Sequence, residues 1–309
     1  MEARYWCGRR SNLGIPAGSC RIGCRCRRLR YRGFRSNEWR SPLALLAGRW
    51  VRPRIYLGGA SDGLVFTGSP SGRVYAVDDT SGELRWSALI EDDGTSTVFQ
   101  PAADRDLVVA GYTTFTAPAR GGIVALDLST GHERWRTAFP RSDNASLGSA
   151  WAGGPLPLHD LIVAASSSGE IYGLDRNDGS IRWSLPRVGD SCVGSASSPS
   201  QDFRPLSVTG RTLVAGSLTG CLEAFNLDTR FVLWRHPGVD DGSVAFSVVA
   251  DNQTVYVPYV GGRLRAFNVS DGKPRWEIGN ARRRFNWPPV LADGRMLVAS
   301  AEGFFGFRP

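Results

Sequence analysis

From Leu64 onward the chain alternates short apolar runs with polar ones, and the alternation recurs. LVFTGS (64–69), LVVAGY (107–112), LIVAAS (161–166), TLVAGS (212–217) and TVYVPY (254–259) are β-branched, apolar and small. That composition predicts central strands buried on both faces. Each leads into a run of period two that ends on a small residue, such as RVYAVD, GIVALD or EIYGLD, and this predicts a second strand. Most are preceded by a looser segment of aromatic and small residues: STVFQPAAD, GSAWAGGPLPL, GSVAFSVVAD and RRFNWPPVLAD.

Each period-two run opens an eleven-residue phrase. Its five copies are AVDDTSGELRW (76–86), ALDLSTGHERW (125–135), GLDRNDGSIRW (173–183), AFNLDTRFVLW (224–234) and AFNVSDGKPRW (266–276). No copy has an insertion, and successive tryptophans are 49, 48, 51 and 42 residues apart, so length varies only between the phrases. Asp78, Asp127, Asp175, Asn226 and Asn268 open a turn in which a short polar side chain bonds backbone N–H groups two residues on. Gly82, Gly131, Gly179 and Gly272 stand where a hairpin loop of three to five residues needs positive φ. The fourth copy has Arg230 there, at a cost of about 1 kcal/mol. A last strand then presents Trp86, Trp135, Trp183, Trp234 or Trp276.

Four strands per period of about 48 residues predict a blade. The chain is therefore expected to be all-β, a β-propeller of four-stranded antiparallel blades, with five complete blades and a partial sixth. The sixth is MLVASAEGFFGFRP (296–309), which aligns Gly306 with the small position and Arg308 with the Asp position and holds no tryptophan. Two arrangements stay open. Residues 49–59 supply the missing outer strand, with Trp50 as its docking residue, or the chain is an incomplete ring from a longer propeller.

Charge divides the chain. Residues 1–54 hold 14 of the 37 basic residues and two of the 29 acidic ones, a net +12, which leaves 55–309 at −4. The basicity belongs to an Arg- and Cys-rich tail (1–54), and the propeller (55–309) is mildly acidic; no specific nucleic-acid site is expected. Lys273 is the only lysine, so abundant arginine reflects usage before function. No stretch has the roughly 20 apolar residues of a transmembrane helix. PLALLAG (42–48) is followed by Arg49, where a lipoprotein signal would have cysteine.

Candidate chemistry is sparse. His132, His159 and His236 fall in three different periods, so no shared metal or acid–base site is expected. Cys20, Cys24 and Cys26 after an isolated Cys7 lack a usual zinc spacing. Cys192 and Cys221 are expected as buried thiols, or as a pair in an exported protein. The serine-rich stretches lack G-x-S-x-G, and Gly121–Gly122 and Gly261–Gly262 lie in hairpins rather than before helices. Arg282, Arg283 and Arg284 read as a solvated loop.

The phrase [AG]-x-[DN]-x-x-[TSD]-G-x-x-x-W resembles the tryptophan docking motif of pyrroloquinoline quinone (PQQ)-like propeller repeats. The resemblance covers residues 55–309 and implies a ring in which each tryptophan wedges against the next blade. The superfamily holds quinoprotein dehydrogenases and BamB-like non-enzymatic propellers. The resemblance to the latter implies a periplasmic or cell-envelope scaffold that meets protein partners on its loops or on an exposed strand edge. The alternative is a PQQ-dependent dehydrogenase, or its degenerate fragment, using PQQ with Ca²⁺. Such enzymes use a carboxylate base, Glu and Asn ligands to calcium and often a vicinal disulfide; this chain has no adjacent cysteines. No catalytic residue and no cofactor are expected.

Overall fold

The structure is a computed structural model that describes residues 56–307, except 93, 95, 115–119, 141–153, 167–168, 186–205, 217–219, 238–247, 260–261, 280–284, 286–288, 293–294 and 301–302. The basic tail, Trp50, Cys192 and the arginines at 282–284 lie outside the described residues.

Among the described residues there is no helix, and 24 strands form six antiparallel sheets. The first holds β1 (Tyr56–Ser61), β2 (Leu64–Gly68), β3 (Arg73–Asp78) and β4 (Leu84–Leu89). The second holds β5 (Thr97–Val98), β6 (Ala102–Asp104), β7 (Leu107–Thr113), β8 (Gly121–Asp127) and β9 (Glu133–Ala138), with β5 and β6 both pairing with β7. The third holds β10 (Leu156–Pro157), β11 (Leu161–Ala165), β12 (Ile171–Asp175) and β13 (Ile181–Leu185). The fourth holds β14 (Leu206–Thr209), β15 (Thr212–Gly216), β16 (Leu222–Asn226) and β17 (Val232–His236). The fifth holds β18 (Val249–Ala250), β19 (Thr254–Pro258), β20 (Arg263–Asn268) and β21 (Pro274–Gly279). The sixth has three strands, β22 (Val290–Ala292), β23 (Arg295–Ser300) and β24 (Gly303–Phe307).

Each sheet is a propeller blade. The first strands of neighbouring blades lie side by side, β1 with β6, β6 with β10, β10 with β14 and β14 with β18. β1 belongs to the first blade, paired with β2. Residues 56–59 are therefore not the outer strand of a sixth blade, which corrects that arrangement.

The core is divided among the gaps between blades. β7 is buried along its whole length because both its faces are covered. Val108, Ala110 and Tyr112 meet Phe66, Val74 and Ala76 of the first blade. Leu107 and Val109 meet Ile162, Ala164 and Leu174 of the third. The third and fourth blades close over Val163, Ile171, Leu213 and Phe225, and the fourth and fifth over Val214, Val255, Val257 and Phe267. Met296, Val298, Phe305 and Phe307 seat the sixth blade on Tyr256, Leu264 and Ala266. The blades thus depend on neighbours for burial, so stability is a sum of nearest-neighbour interfaces. Arginines also cross between blades. Arg176, nearly buried, bonds Asp104 Oδ2 (2.8 Å), Asp106 Oδ1 (2.9 Å) and the Asp104 carbonyl. Arg136 donates to the Ile90 carbonyl and pairs with Glu91 of the first blade.

Candidate functional site

The repeated turns are built alike. In each, the amide of the Gly position donates to the carbonyl of the opening Asp or Asn: Gly82 to Asp78, Gly131 to Asp127, Gly179 to Asp175, Arg230 to Asn226 and Gly272 to Asn268, at 2.7–2.9 Å. The opening side chain caps the loop. Asp78 Oδ1 accepts from the amides of Thr80 and Ser81, and Asp127 Oδ1 from those of Ser129 and Thr130. Asp175 Oδ1 accepts from Asn177, and Asn226 Oδ1 from Asp228 and Thr229.

The arginine before the tryptophan completes three of these turns. Arg85 bonds Asp78 Oδ2 at 2.7 Å, Arg134 bonds Asp127 Oδ2 at 2.6 Å and Arg182 Nε bonds Asp175 Oδ2 at 2.9 Å. These contacts hold the three carboxyls below their usual range. The Ser81 amide leads at Asp78, the Arg134 guanidinium at Asp127 and the Asn177 amide at Asp175. Reading the sequence as three variable residues before Trp missed this role, although Arg-Trp recurs in four of five copies. Each copy also has a register shift opposite its tryptophan: Ala76 pairs with Trp86 while Val77 pairs with Leu84, so Arg85 is an extra, bulged residue. The same bulge falls at Arg134, Arg182, Leu233 and Arg275. A bulge re-aims a side chain, and here it aims arginine back at the turn.

The tryptophans tie blade to blade. Trp86 Nε1 donates to the Leu128 carbonyl (2.9 Å), Trp135 to that of Arg176 (2.9 Å) and Trp234 to that of Val269 (2.7 Å), each in the next blade one residue past the opening Asp or Asn. The ring then lies on that blade's turn glycine. A Cβ at Gly131, Gly179 or Gly272 would fall 2.5, 2.3 or 2.4 Å from the Trp86, Trp135 or Trp234 ring. These glycines are therefore needed twice, for φ of 72°, 73° and 68° and for ring contact.

The fourth blade breaks the pattern at the position facing Trp183. Arg230 keeps the left-handed backbone, φ 62°, but carries a side chain. Among the described residues Trp183 makes no bond to the next blade. Its ring lies instead against Gly173, where a Cβ would stand 2.1 Å from Cε2. Gly173 pairs with Trp183, and the corresponding residue of every other copy is alanine. The missing methyl at 173 makes room for that ring, and Arg230 places a side chain where the other turns leave the tryptophan's seat open.

The docking residues Trp86, Trp135 and Trp234 thus meet the next blade's turn in successive pairs rather than in one pocket. The histidines are not brought together: His132 lies in the second blade's turn, His159 between β10 and β11, and His236 at the end of β17 against Phe267. Burial, and then Arg265, hold the His236 imidazole below its usual value. Among the described residues no three of His, Cys, Asp and Glu could hold a metal ion. Cys221 is disulfide-bonded, which corrects its expectation as a free thiol.

A family profile described as outer membrane protein assembly factor BamB matches residues 70–241 and 219–307. The chain belongs to the BamB family. BamB of Bordetella pertussis is 24% identical over 275 residues, 85% of this chain. The 1-butanol dehydrogenase (quinone) of Thauera butanivorans is 23% identical over 291 residues, 79% of this chain. This chain spans 66% of the length of the Bordetella BamB and 45% of that of the dehydrogenase. Among solved structures, BamB from Moraxella catarrhalis superposes with a TM-score of 0.58 at 22% identity, covering 82% of this chain and 74% of the other, a likeness of fold.

Proposed function

We propose that the chain is a non-enzymatic propeller scaffold acting in outer-membrane protein assembly within the bacterial cell envelope. Its surface would hold partner proteins and would not transform a substrate. One observation carries the reading: the side chains repeated most faithfully, Asp, Arg, Gly and Trp, meet one another within and between blades. What repeats is architecture, and the BamB family match supplies the setting. The disulfide at Cys221 supports an oxidising compartment such as the periplasm.

A quinoprotein reading draws on the likeness to a quinone-dependent dehydrogenase. Reconstitution decides between the two. The purified chain is mixed with PQQ and Ca²⁺ and assayed for dye-linked oxidation of alcohols and sugars. The scaffold reading expects no turnover and no thermal stabilisation by PQQ. Saturable turnover would overturn it.

A further inference from the structure

The rim of the fourth blade departs from its sisters at three clustered positions, and all three changes leave groups open to a partner. Where the other turns have Gly, Glu/His/Ser/Lys and Arg, this one has Arg230, Phe231 and Leu233. Phe231 is 75% exposed and Leu233 47%, with Val232 at 37% between them. In the first three blades the bulged arginine reaches back to the turn carboxylate and covers the outer strand with charge, a common protection of a sheet edge, and in the fifth Arg275 bonds Thr254. Here the bulged residue is leucine and the opening residue is neutral Asn226, so that cover is gone. The arginine has moved to 230, where, among the described residues, its guanidinium meets only the Asp228 carbonyl, at 3.2 Å.

β17 is flanked by complete blades on both sides, so its exposure does not come from lying at the end of the arc. Two large apolar side chains beside a cation that has no carboxylate among the described residues have the composition of an interface core, where aromatic residues and arginine are enriched.

We infer that the Arg230–Phe231–Leu233 rim docks a short amphipathic segment of another protein, apolar where it covers Phe231 and Leu233 and carrying a carboxylate that meets Arg230. The inference rests on the scaffold reading and names one surface for it. The charge match fixes the occupant's chemistry, because a basic segment would set its own cation against Arg230.

The test uses the full chain, immobilised, and a phage library of random twelve-residue peptides. Enriched peptides are expected to combine apolar residues with Asp or Glu. They are expected to bind at least tenfold more weakly to Phe231→Glu, and to the triple variant Arg230→Gly, Phe231→Ser, Leu233→Arg. That variant carries the Gly, polar and Arg residues of the sister turns, and its thermal melt checks that it folds. No enrichment, enrichment of basic peptides, or binding that instead depends on Phe304 of the sixth blade would each overturn the proposal. The scaffold reading is scored separately in a strain that lacks its own BamB. If the wild-type chain restores outer-membrane protein assembly and the triple variant restores it equally, the rim is not the docking surface and the scaffold reading stands. If the wild-type chain restores nothing, the scaffold reading itself fails.

Discussion

The turn glycines carry unequal loads, and this can be measured. A Cβ at Gly82 meets nothing within 4 Å, so Gly82→Ala loses only the freedom of its left-handed backbone, about 1 kcal/mol. Gly131→Ala adds a collision with the Trp86 ring and is expected to cost about 2–4 kcal/mol in denaturant unfolding. Equal losses would contradict the docking geometry. Gly173 and Arg230 should behave as a pair. Gly173→Ala alone crowds the displaced Trp183 ring and destabilises. Combined with Arg230→Gly, which opens the usual seat in the next blade, the same change should cost far less. A double-mutant cycle is expected to show favourable coupling of about 1 kcal/mol or more. Additivity would show that Trp183 has not moved for the reason given. The unusual Arg230 was legible in the sequence as a strained turn. Its partner Gly173 was not, because glycine and alanine look interchangeable at a small position until the ring beside them is seen.

At the scale of the element, the hairpin turn is tied together by a carboxylate. The carboxyls of Asp78, Asp127 and Asp175 sit below their usual values in the fold. Their stabilisation is therefore present above the unfolded-state pKa near 4 and fades as pH falls below it. The melting temperature should fall between pH 5 and pH 2.5. Asp127→Asn should melt lower at pH 7 and converge on the wild type in acid. Parallel curves over that range would rule out the Asp127 carboxylate as the source of the acid sensitivity. Strand identity and turn position could be read directly, because period-two patterning and Asx–Gly chemistry act over a few residues. The bulge could not, since it depends on which residues pair across two strands. The role of Arg85, Arg134 and Arg182 was hidden with it.

Over the whole molecule, the recurrence of the phrase specified the blades and their order, and the gap-by-gap division of the core follows from it. Its period also placed the partial sixth blade. Charge crossing between blades was not legible, because Arg176 finds Asp104 and Asp106 seventy residues away, through the ring and not along the chain. The rim of the fourth blade was read only as a strained turn. Its meaning appeared once exposure showed Phe231 and Leu233 uncovered. We propose that this chain works as an assembly scaffold. Its most direct test is the amount of folded outer-membrane β-barrel protein in a bacterium lacking its own BamB, measured with and without this chain expressed in the periplasm. A scaffold is expected to raise the folded fraction towards the wild-type level, with no PQQ supplied. An unchanged folded fraction, with the chain present and folded in the periplasm, would contradict it.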